Sequence, residues 1–306
     1  MRYIILASVF LFAVCTPSGE DSEFIQDADR DRSIPFKVWV PDADNHKGLL
    51  PLVLLSHGSG GEYANHGWLI DALLGGGFMV AAVNHPHNTT RDNTDEGVIS
   101  VWQRPQDLSV LLDHLLSASA WSDLIDDQRI GATGFSSGGY TVLGLAGAIY
   151  NSDLMQAYCS SADRGADCDL ASDAAAVDYS SASASYKDPR VKAFFAMAPA
   201  VGPGITVASL QGIDQAVALI AAADDELVNP QLGAVRYAKH IPDAELVLLP
   251  SGGHFIFLEC NAITQLVDWF TSELDLCGSE FNVDRAQLRG KVADHVVGYF
   301  AQHLSP

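Results

Sequence analysis

Residues 134–138 read Gly-Phe-Ser-Ser-Gly, a G-x-S-x-G pattern that occurs once in the chain. A serine between two glycines at this spacing is typical of a nucleophile elbow, a tight turn from a strand into a helix that exposes the serine hydroxyl. Residues 129–133 can form that strand, and the small residues up to Ala148 can form that helix. The pattern therefore predicts Ser136 as the nucleophile of a covalent mechanism.

A serine hydroxyl is a weak nucleophile at neutral pH, so it needs a base, and the base needs an acid to orient it. The apolar run 216–222 is followed by Asp224 and Asp225. A second run, 244–249, is followed by a Ser-Gly-Gly turn and His254. If both runs are parallel strands, their carboxyl ends lie at one edge of the sheet, where ligands bind. We predict His254 as the base and Asp225 as the acid, with Asp224 as the second choice.

A tetrahedral intermediate also needs hydrogen-bond donors for its oxyanion, and two backbone N–H groups commonly supply them. The residue after the nucleophile, Ser137, is expected to provide one. The glycine-rich loop 56–61, Ser-His-Gly-Ser-Gly-Gly, follows an apolar run and is expected to provide the other. We predict the backbone N–H of Ser59 as this second donor, although spacing alone also permits a plain glycine-rich turn.

The elements that must position these groups alternate along the chain. Apolar runs and helical patterns follow one another from Val38 onward, which is typical of a mostly parallel sheet flanked by helices. Residues 32–40 alternate in polarity and indicate an edge strand, since Pro35 has no N–H for an inner ladder. Residues 104–116 carry leucines on one face at helical spacing. The sequence therefore predicts an α/β domain over residues 32–306.

Residues 150–187 interrupt this alternation. The segment is rich in Ser, Ala and Asp and has little periodicity, which indicates an insertion over the active-site edge. Two interpretations stay open: a lid over the site or a solvent-exposed connector. After it, closing helices are expected at 263–274 and 286–303.

The first 15 residues have the pattern of an export signal. Met1 and Arg2 form a minimal charged region, and the apolar stretch that follows is too short to span a bilayer. Cys15 stands where a lipoprotein signal would be cleaved, but Val14 replaces the small residue that is usual there. Lipidation of Cys15 and ordinary cleavage nearby both stay open, and both predict a periplasmic or extracellular protein. Residues 16–31 are expected to form an acidic tail.

Four cysteines remain beyond the signal: Cys159, Cys168, Cys260 and Cys277. Four cysteines allow three pairings. Neighbours in sequence close the shortest loops, so we predict the disulfides Cys159–Cys168 and Cys260–Cys277. Such bonds persist in an oxidising compartment, which agrees with export.

Composition excludes several classes of partner. The chain has 306 residues with 38 acidic and 17 basic side chains, a formal net charge of −21. A surface this negative repels nucleic acid, anionic membranes and polyanionic substrates. Three histidines, His57, His85 and His87, are expected near one sheet edge, but no spacing typical of a zinc site accompanies them. We therefore expect no metal, no organic cofactor and no nucleic-acid partner, and we expect a monomer.

Further segments resemble one known family. They are Asp29–Val40, Ser56–Gly58, His85–Pro86, Arg104–Leu108, Gly134–Tyr140, Asp188–Ala193, Ala198–Ala200, Gly252–Leu258, Cys260 and Asp284–Ala286. Together they resemble the bacterial "predicted dienelactone hydrolase" group of α/β-hydrolases, which is related to platelet-activating-factor acetylhydrolases and polyester-hydrolase-like esterases. The resemblance runs from residue 29 onward. It implies the α/β-hydrolase fold, with a small lid-like insertion that carries a cysteine pair.

The same resemblance implies the triad Ser136, Asp225 and His254, and the backbone N–H groups of Ser59 and Ser137 as the oxyanion hole. The chain departs from the family in three respects, one of which is Ser137, where many relatives carry Leu or Met. True dienelactone hydrolases carry a cysteine nucleophile, so lactone specificity is not implied here. An extra residue in the acid turn keeps Asp224 open as the acid.

The sequence thus predicts a secreted serine carboxylic-ester hydrolase that acts on a small-molecule or polymeric ester. A membrane would be contacted only through a lipid on Cys15. A polyester hydrolase or lipase-like enzyme, an acyltransferase and an amide hydrolase are alternatives on the same fold. An inactive binding protein is the least favoured alternative, because it would have no reason to keep all three triad residues.

Overall fold

The computed structural model of the protein describes residues 23–42, 48–117, 120–171, 177–260, 276–277 and 281–305. Its strands are β1 (Glu23–Asp27), β2 (Arg32–Trp39), β3 (Leu50–Ser56), β4 (Met79–Val83), β5 (Ile125–Phe135), β6 (Val191–Met197), β7 (Ala216–Ala222) and β8 (Glu245–Leu249). Its α-helices are α1 (Gly67–Gly75), α2 (Asp95–Ile99), α3 (Gln103–Leu116), α4 (Ser137–Ala146), α5 (Ser152–Cys159), α6 (Val207–Gln211), α7 (Ala234–His240) and α8 (Arg285–His303). The apolar runs in the sequence therefore correspond closely to the strands.

The eight strands form one sheet in the order β1-β2-β4-β3-β5-β6-β7-β8. β2 pairs antiparallel with both β1 and β4, whereas every other pairing is parallel. The prediction of a mostly parallel central sheet is confirmed. Because the parallel strands run the same way, the ends of β3, β5, β7 and β8 meet at one edge of the sheet.

One edge strand of the sheet is β1, whereas the sequence predicted residues 32–40 at the edge. Residues 23–27 form β1 and pair along β2, so β2 is an inner strand and part of the segment expected to be an acidic tail belongs to the sheet. Pro35 is tolerated in β2 because the ladder with β4 begins only at Phe36, and the Pro35 carbonyl accepts a hydrogen bond from Asn84 N–H at 2.8 Å. The missing N–H of the proline therefore leaves no gap in the ladder with β4.

Both faces of the sheet are buried, as expected for parallel strands that read as apolar runs. Helices α3 and α4 pack on one face, where the four leucines Leu108, Leu111, Leu112 and Leu115 of α3 are fully buried. Helices α1 and α8 pack together on the other face. Gly131 in β5 lets α8 approach, because a Cβ there would lie 2.6 Å from the ring of Phe300.

Both predicted cysteine pairings, Cys159–Cys168 and Cys260–Cys277, are disulfides in the structure. The export signal with Cys15, residues 16–22 of the expected tail and the expected helix 263–274 lie outside the described residues. Within the described ranges, no helix combines the length and the apolar character needed to cross a membrane.

Candidate active site

Ser136 stands between the end of β5 and the start of α4 in a backbone conformation that L-residues rarely adopt. Its φ is 56° and its ψ is −117°. Such a conformation costs about 1–3 kcal/mol and persists only where neighbours enforce it. Here the Ser136 N–H donates to Met197 O at 2.9 Å, and the Ser136 carbonyl accepts from Ala200 N–H at 3.1 Å. The turn therefore has the strand-to-helix geometry that the sequence predicts for a nucleophile elbow, and it lifts the hydroxyl out of the backbone.

Close backbone packing explains both glycines of the G-x-S-x-G pattern. A Cβ on Gly134 would lie 2.3 Å from the carbonyl oxygen of Gly138. A Cβ on Gly138 would lie 2.1 Å from the carbonyl oxygen of Ser56 at the end of β3. Neither contact is tolerated, because the colliding atoms belong to the backbone of adjacent elements. The spacing of the motif thus follows from the geometry of the turn.

The hydroxyl of Ser136 begins a continuous row of hydrogen bonds. Ser136 Oγ lies 2.9 Å from His254 Nε2, and His254 Nδ1 lies 2.7 Å from Asp225 Oδ2. Ser136, His254 and Asp225 are 7%, 4% and 6% exposed, respectively. With Nδ1–H donating to the carboxylate, the lone pair of Nε2 faces the serine hydroxyl. This arrangement can remove the hydroxyl proton as oxygen attacks a carbonyl carbon.

The two candidate acids have different partners. The second oxygen of Asp225 accepts from Leu227 N–H at 3.0 Å and Val228 N–H at 2.8 Å, which fixes the carboxylate facing His254. Asp224 points instead into the turn before the histidine, where it accepts from Ser251 Oγ at 2.5 Å and Gly253 N–H at 3.1 Å. The structure therefore brings Asp225, and not Asp224, into contact with the imidazole.

Asp224 nevertheless supports the histidine indirectly. Burial tends to raise the pKa of its carboxyl, but the hydrogen bonds from Ser251, Gly253 and Gly252 outweigh burial and hold the pKa below its usual value. The turn that they stabilise gives Gly253 a φ of 65°, which favours glycine. The ring of His254 then packs against Phe135, with centroids 4.8 Å apart.

The two predicted oxyanion donors flank the nucleophile. Ser137 is the first residue of α4, so its N–H is one of the donors that a helix leaves unpaired, at the positive end of the helix dipole. Ser59 follows β3, and Gly58 brings this loop close to the elbow, since a Cβ on Gly58 would lie 3.6 Å from Ser136 Cβ. In the part of the chain that the structure describes, neither N–H has an acceptor. Both are available to a substrate oxygen.

A second buried row of polar groups, which sequence reasoning did not assign to the site, lies beneath this loop. Ser56 Oγ is 2.9 Å from His85 Nε2, and His85 Nδ1 is 2.9 Å from Asp107 Oδ2. Burial lowers the pKa of His85 to about 3, so the ring is neutral at pH 7. Asp107 is also held by Arg32, whose Nη2 lies 2.8 Å from Oδ2. All three members of the row are fully buried, so this row supports the loop and does not meet substrate.

One signal in the sequence could have revealed this network. Arg104 and Asp107 lie on the same face of α3 as the buried leucines, where charged side chains are rare unless they are paired. Burial would raise the pKa of Asp107, but hydrogen bonds from His85 and Arg32 together with the charge of Arg32 hold it below its usual range. Two charged residues of opposite sign on the apolar face of a helix thus indicate a buried polar network.

The three histidines considered as metal ligands have other roles. His57 Nδ1 donates to Gly58 O at 2.6 Å, and its Nε2 accepts from the His85 N–H at 3.0 Å. His87 is exposed, with Nδ1 3.1 Å from Asp92. Among the residues that the structure describes, no group of three or more His, Cys, Asp or Glu side chains could hold a metal ion.

A cavity of about 750 Å³ opens beside Ser137. Val98, Ile99 and Val101 line one side, and α5 with the Cys159–Cys168 disulfide lines the other. The residues of the 150–187 insertion therefore form a wall of this cavity. Tyr150, Tyr179, Asp153 and Asp167 are also among the residues that line it. The cavity is large enough for the acyl or alcohol group of a small ester.

Solved structures share this architecture. A ferulic acid esterase from Streptomyces cinnamoneus is similar, with a TM-score of 0.60 over 92% of this chain and 86% of its own, at 19% sequence identity. A dienelactone hydrolase from Anabaena variabilis has a TM-score of 0.53 over 92% of this chain and 97% of its own, at 14% identity. No family model and no curated protein matches the sequence. The likeness shows the α/β-hydrolase fold, as the sequence predicted.

Proposed function

We propose that the chain is a serine hydrolase that cleaves carboxylic esters through an acyl-enzyme on Ser136. The row of hydrogen bonds from Ser136 through His254 to Asp225 is the observation that carries this proposal. It combines a nucleophile, a base and an acid at hydrogen-bonding distance at the ligand-binding edge of the sheet.

In the first half of the reaction, Ser136 Oγ attacks the ester carbonyl while His254 Nε2 takes the hydroxyl proton. Asp225 stabilises the imidazolium that forms and holds its tautomer. The N–H groups of Ser59 and Ser137 donate to the oxyanion, and one such donor contributes roughly 10²–10³ in kcat. His254 then returns the proton to the leaving alkoxide, and the carbon–oxygen bond of the ester breaks to release the alcohol.

In the second half, water takes the position of the alcohol. His254 removes a proton from the water as its oxygen attacks the acyl carbon, and the same two N–H groups hold the second oxyanion. Collapse of this intermediate breaks the bond to Ser136 Oγ, which recovers its proton from His254. Every proton transfer in the cycle uses His254, so no further acid or base is required.

We favour an ester over an amide as the substrate, since the two similar structures are named as a ferulic acid esterase and a dienelactone hydrolase. The cavity beside Ser137, walled by the 150–187 insertion, favours a small ester over an extended polymer. We propose that this insertion covers the substrate as a lid-like wall within the hydrolase domain. An acyltransferase would use the same acyl-enzyme and is distinguished by transfer to added alcohols that exceeds hydrolysis.

We also propose that the protein is exported. The signal-like pattern in residues 1–15 and the two disulfides support this location, since disulfides persist outside the reducing cytosol. Mass spectrometry of the membrane and soluble fractions of expressing cells would separate lipidated Cys15 from an ordinary cleaved N-terminus.

The first test is hydrolysis of p-nitrophenyl esters from acetate to palmitate by the wild-type chain and by Ser136→Ala. We expect turnover of short and medium acyl chains, a fall of at least about 10³-fold in Ser136→Ala, and covalent labelling of Ser136 by a fluorophosphonate. The variant removes one hydroxyl, so its melting temperature should stay close to that of the wild type. Full turnover by Ser136→Ala, or labelling elsewhere, would overturn the proposal.

A further inference from the structure

The two donors of the candidate oxyanion hole belong to segments that are far apart in the chain. Ser59 lies in the loop after β3, and Ser137 begins α4. An oxyanion hole works only when both N–H groups are held within about 0.5 Å of the productive geometry. The loop has only one backbone hydrogen bond of its own among residues 57–61, from Gly61 N–H to Gly58 O at 3.2 Å. Thr89 and Thr90 hold its far end, through a bridge to Gly61 and a hydrogen bond to Gly60 O, so a further group must fix its near end relative to the helix.

The side chain of Arg104 lies between these two segments. It extends from the first turn of α3 and is 1% exposed. Its Nη2 donates to the carbonyl of His57, its Nη1 donates to Asn88 Oδ1 at 2.5 Å, and its Nε donates to Thr141 Oγ1 at 3.1 Å. A planar guanidinium fixes the directions of all three bonds at once, which a lysine ammonium does not.

Each of these three partners is connected to a residue that supplies a candidate oxyanion donor, two of them by a direct hydrogen bond. His57 is two residues before Ser59 in the loop. Asn88 Nδ2 donates to Ser59 Oγ at 2.9 Å. Thr141 Oγ1 donates to the carbonyl of Ser137 at 2.8 Å. One side chain thus joins both donor residues through neutral oxygen acceptors.

We propose that Arg104 is a positioning residue of the catalytic site, which sets the separation of the Ser59 and Ser137 N–H groups and so determines how well they bind the oxyanion. This inference rests on the proposed function. It assigns to a buried arginine of α3 a role in the transition state, although its side chain does not touch the reacting atoms.

The surrounding charges agree with this role. Burial lowers the pKa of Arg104 to about 9, so the guanidinium stays cationic at pH 7. Asp107, one turn along α3, provides an opposite charge nearby, but its carboxylate is bound by Arg30, Arg32 and His85 and not by Arg104. The three donors of Arg104 are therefore free to bind the loop and the helix, while the charge of Asp107 offsets part of the cost of burying the cation.

The test compares oxygen esters with thionoesters, in which sulfur replaces the carbonyl oxygen. Sulfur accepts N–H hydrogen bonds poorly, so a thionoester gains little from an oxyanion hole. We expect Arg104→Lys to lower kcat for the oxygen ester roughly 10–100-fold with KM within about twofold, and to lower kcat for the thionoester much less. The rate of Ser136 labelling by a fluorophosphonate should fall in parallel, because phosphonylation also develops negative charge on oxygen.

Two further variants each remove one link between Arg104 and a donor residue, and both keep the charge of Arg104. Asn88→Ala removes the bond to Ser59, and Thr141→Val removes the bond to Ser137. Each should lower kcat for the oxygen ester several-fold with the same sparing of the thionoester, and these variants decide the matter if Arg104→Lys does not fold. Arg190→Lys is the matched control, since Arg190 binds Asp188 and Asp113 away from the site and its variant should retain wild-type kinetics.

Equal losses for oxygen ester and thionoester in all folded variants, or a change confined to KM, would overturn the proposal and leave Arg104 as a structural residue. Unchanged kinetics in Arg104→Lys would overturn it too. The proposed function fails in a different way, namely if the wild-type chain neither turns over esters nor reacts with the fluorophosphonate at Ser136.

Discussion

At the scale of single residues, the acid of the triad is decided by direction and not by proximity in sequence. Asp224 and Asp225 are neighbours, yet one carboxylate holds the turn before His254 and the other holds its imidazole. The two carboxylates have separate sets of hydrogen-bond partners, so they cannot exchange roles without rebuilding the turn. Their removal should therefore have distinct consequences.

We expect Asp225→Asn to lower kcat by roughly 10³–10⁴-fold, since an amide favours the wrong imidazole tautomer and no longer stabilises the imidazolium. Asp224→Asn should lower kcat by less than about tenfold, because its amide oxygen can still accept from Gly253 N–H. Steady-state kinetics on one p-nitrophenyl ester, with melting temperatures for both variants, provides the comparison. A larger loss in Asp224→Asn would contradict the assignment of Asp225.

The glycines of the elbow give a second prediction at this scale. Gly138→Ala would put a Cβ 2.1 Å from Ser56 O, so β3 or α4 must shift, and the oxyanion hole would shift with it. We expect at least a 10²-fold loss of kcat and a lower free energy of unfolding. Gly298→Ala is the control, because a Cβ there meets nothing within 4 Å in the exposed part of α8. That variant should keep full activity and gain about 0.5–1 kcal/mol of stability in urea denaturation. Wild-type kinetics in Gly138→Ala would disprove this account of the motif.

At the scale of elements, the strands and helices that the sequence predicts well are those with a strong local pattern of apolar residues. β7 is predicted at its observed bounds and α3 within one residue, because continuous apolar runs and helical periodicity are strong signals. Ser136, Asp225 and His254 are predicted because the residues at strand ends must meet at one sheet edge. β1 is missed because Glu23–Asp27 reads as part of an acidic segment, and its pairing with β2 decides its structure.

The network around Arg104 is missed for another reason. Asn88 lies after β4 and Thr141 lies in α4, so their relation to α3 is a product of tertiary packing with no local pattern. A basic residue at the start of a helix usually faces water, and only the buried neighbours on the same face signal the exception. Local pattern thus identifies the residues that react, whereas those that position them emerge from the assembled fold.

Buried histidines at the ends of elements give the fold an acid sensitivity. His57 follows β3, His85 follows β4 and His66 ends a short 3-10 helix before α1. Burial lowers the pKa of His66 to about 4 and that of His85 to about 3, and burial also lowers that of His57 well below its usual value. In the unfolded chain the pKa of histidine is about 6.5. As the pH falls below this value, the unfolded state binds protons that the folded state does not, so stability is lost.

We therefore expect the free energy of unfolding to fall by up to about 4 kcal/mol per pH unit below about pH 6, from three histidines at about 1.4 kcal/mol each. Urea denaturation between pH 8 and pH 5 measures the slope. His66→Leu should reduce it by about one proton, whereas the exposed control His87→Gln should leave it unchanged. A stability that does not change between pH 7 and pH 5 would contradict the prediction.

At the scale of the whole molecule, charge bears on the choice of substrate. The formal net charge is −21, and the cavity beside Ser137 adds the carboxylates of Asp153 and Asp167 while its described lining contains no Lys or Arg. Asp167 also accepts a hydrogen bond from Tyr158 OH at 3.0 Å, which fixes its direction. A negative site with partly apolar walls concentrates cations and repels anions. Selectivity by charge should therefore exceed what shape alone would give.

A pair of esters with the same shape and different charge isolates this effect. Choline butyrate carries a quaternary ammonium, and 3,3-dimethylbutyl butyrate replaces that nitrogen with carbon. At pH 8 and low salt we expect kcat/KM to favour the choline ester by roughly 3–10-fold, since a carboxylate several ångströms from a cation contributes about 1 kcal/mol at an effective dielectric constant near 20–40. In molar sodium chloride the ratio should fall toward unity, because the Debye length shrinks to about 3 Å. Asp167→Asn should also lower the ratio. Asp126→Asn makes the same charge change at the end of β5 that is far from Ser136, and it should leave the ratio unchanged. A preference for the uncharged ester at low salt would show that the carboxylates of the cavity do not select the substrate, and shape would then be the property that matters.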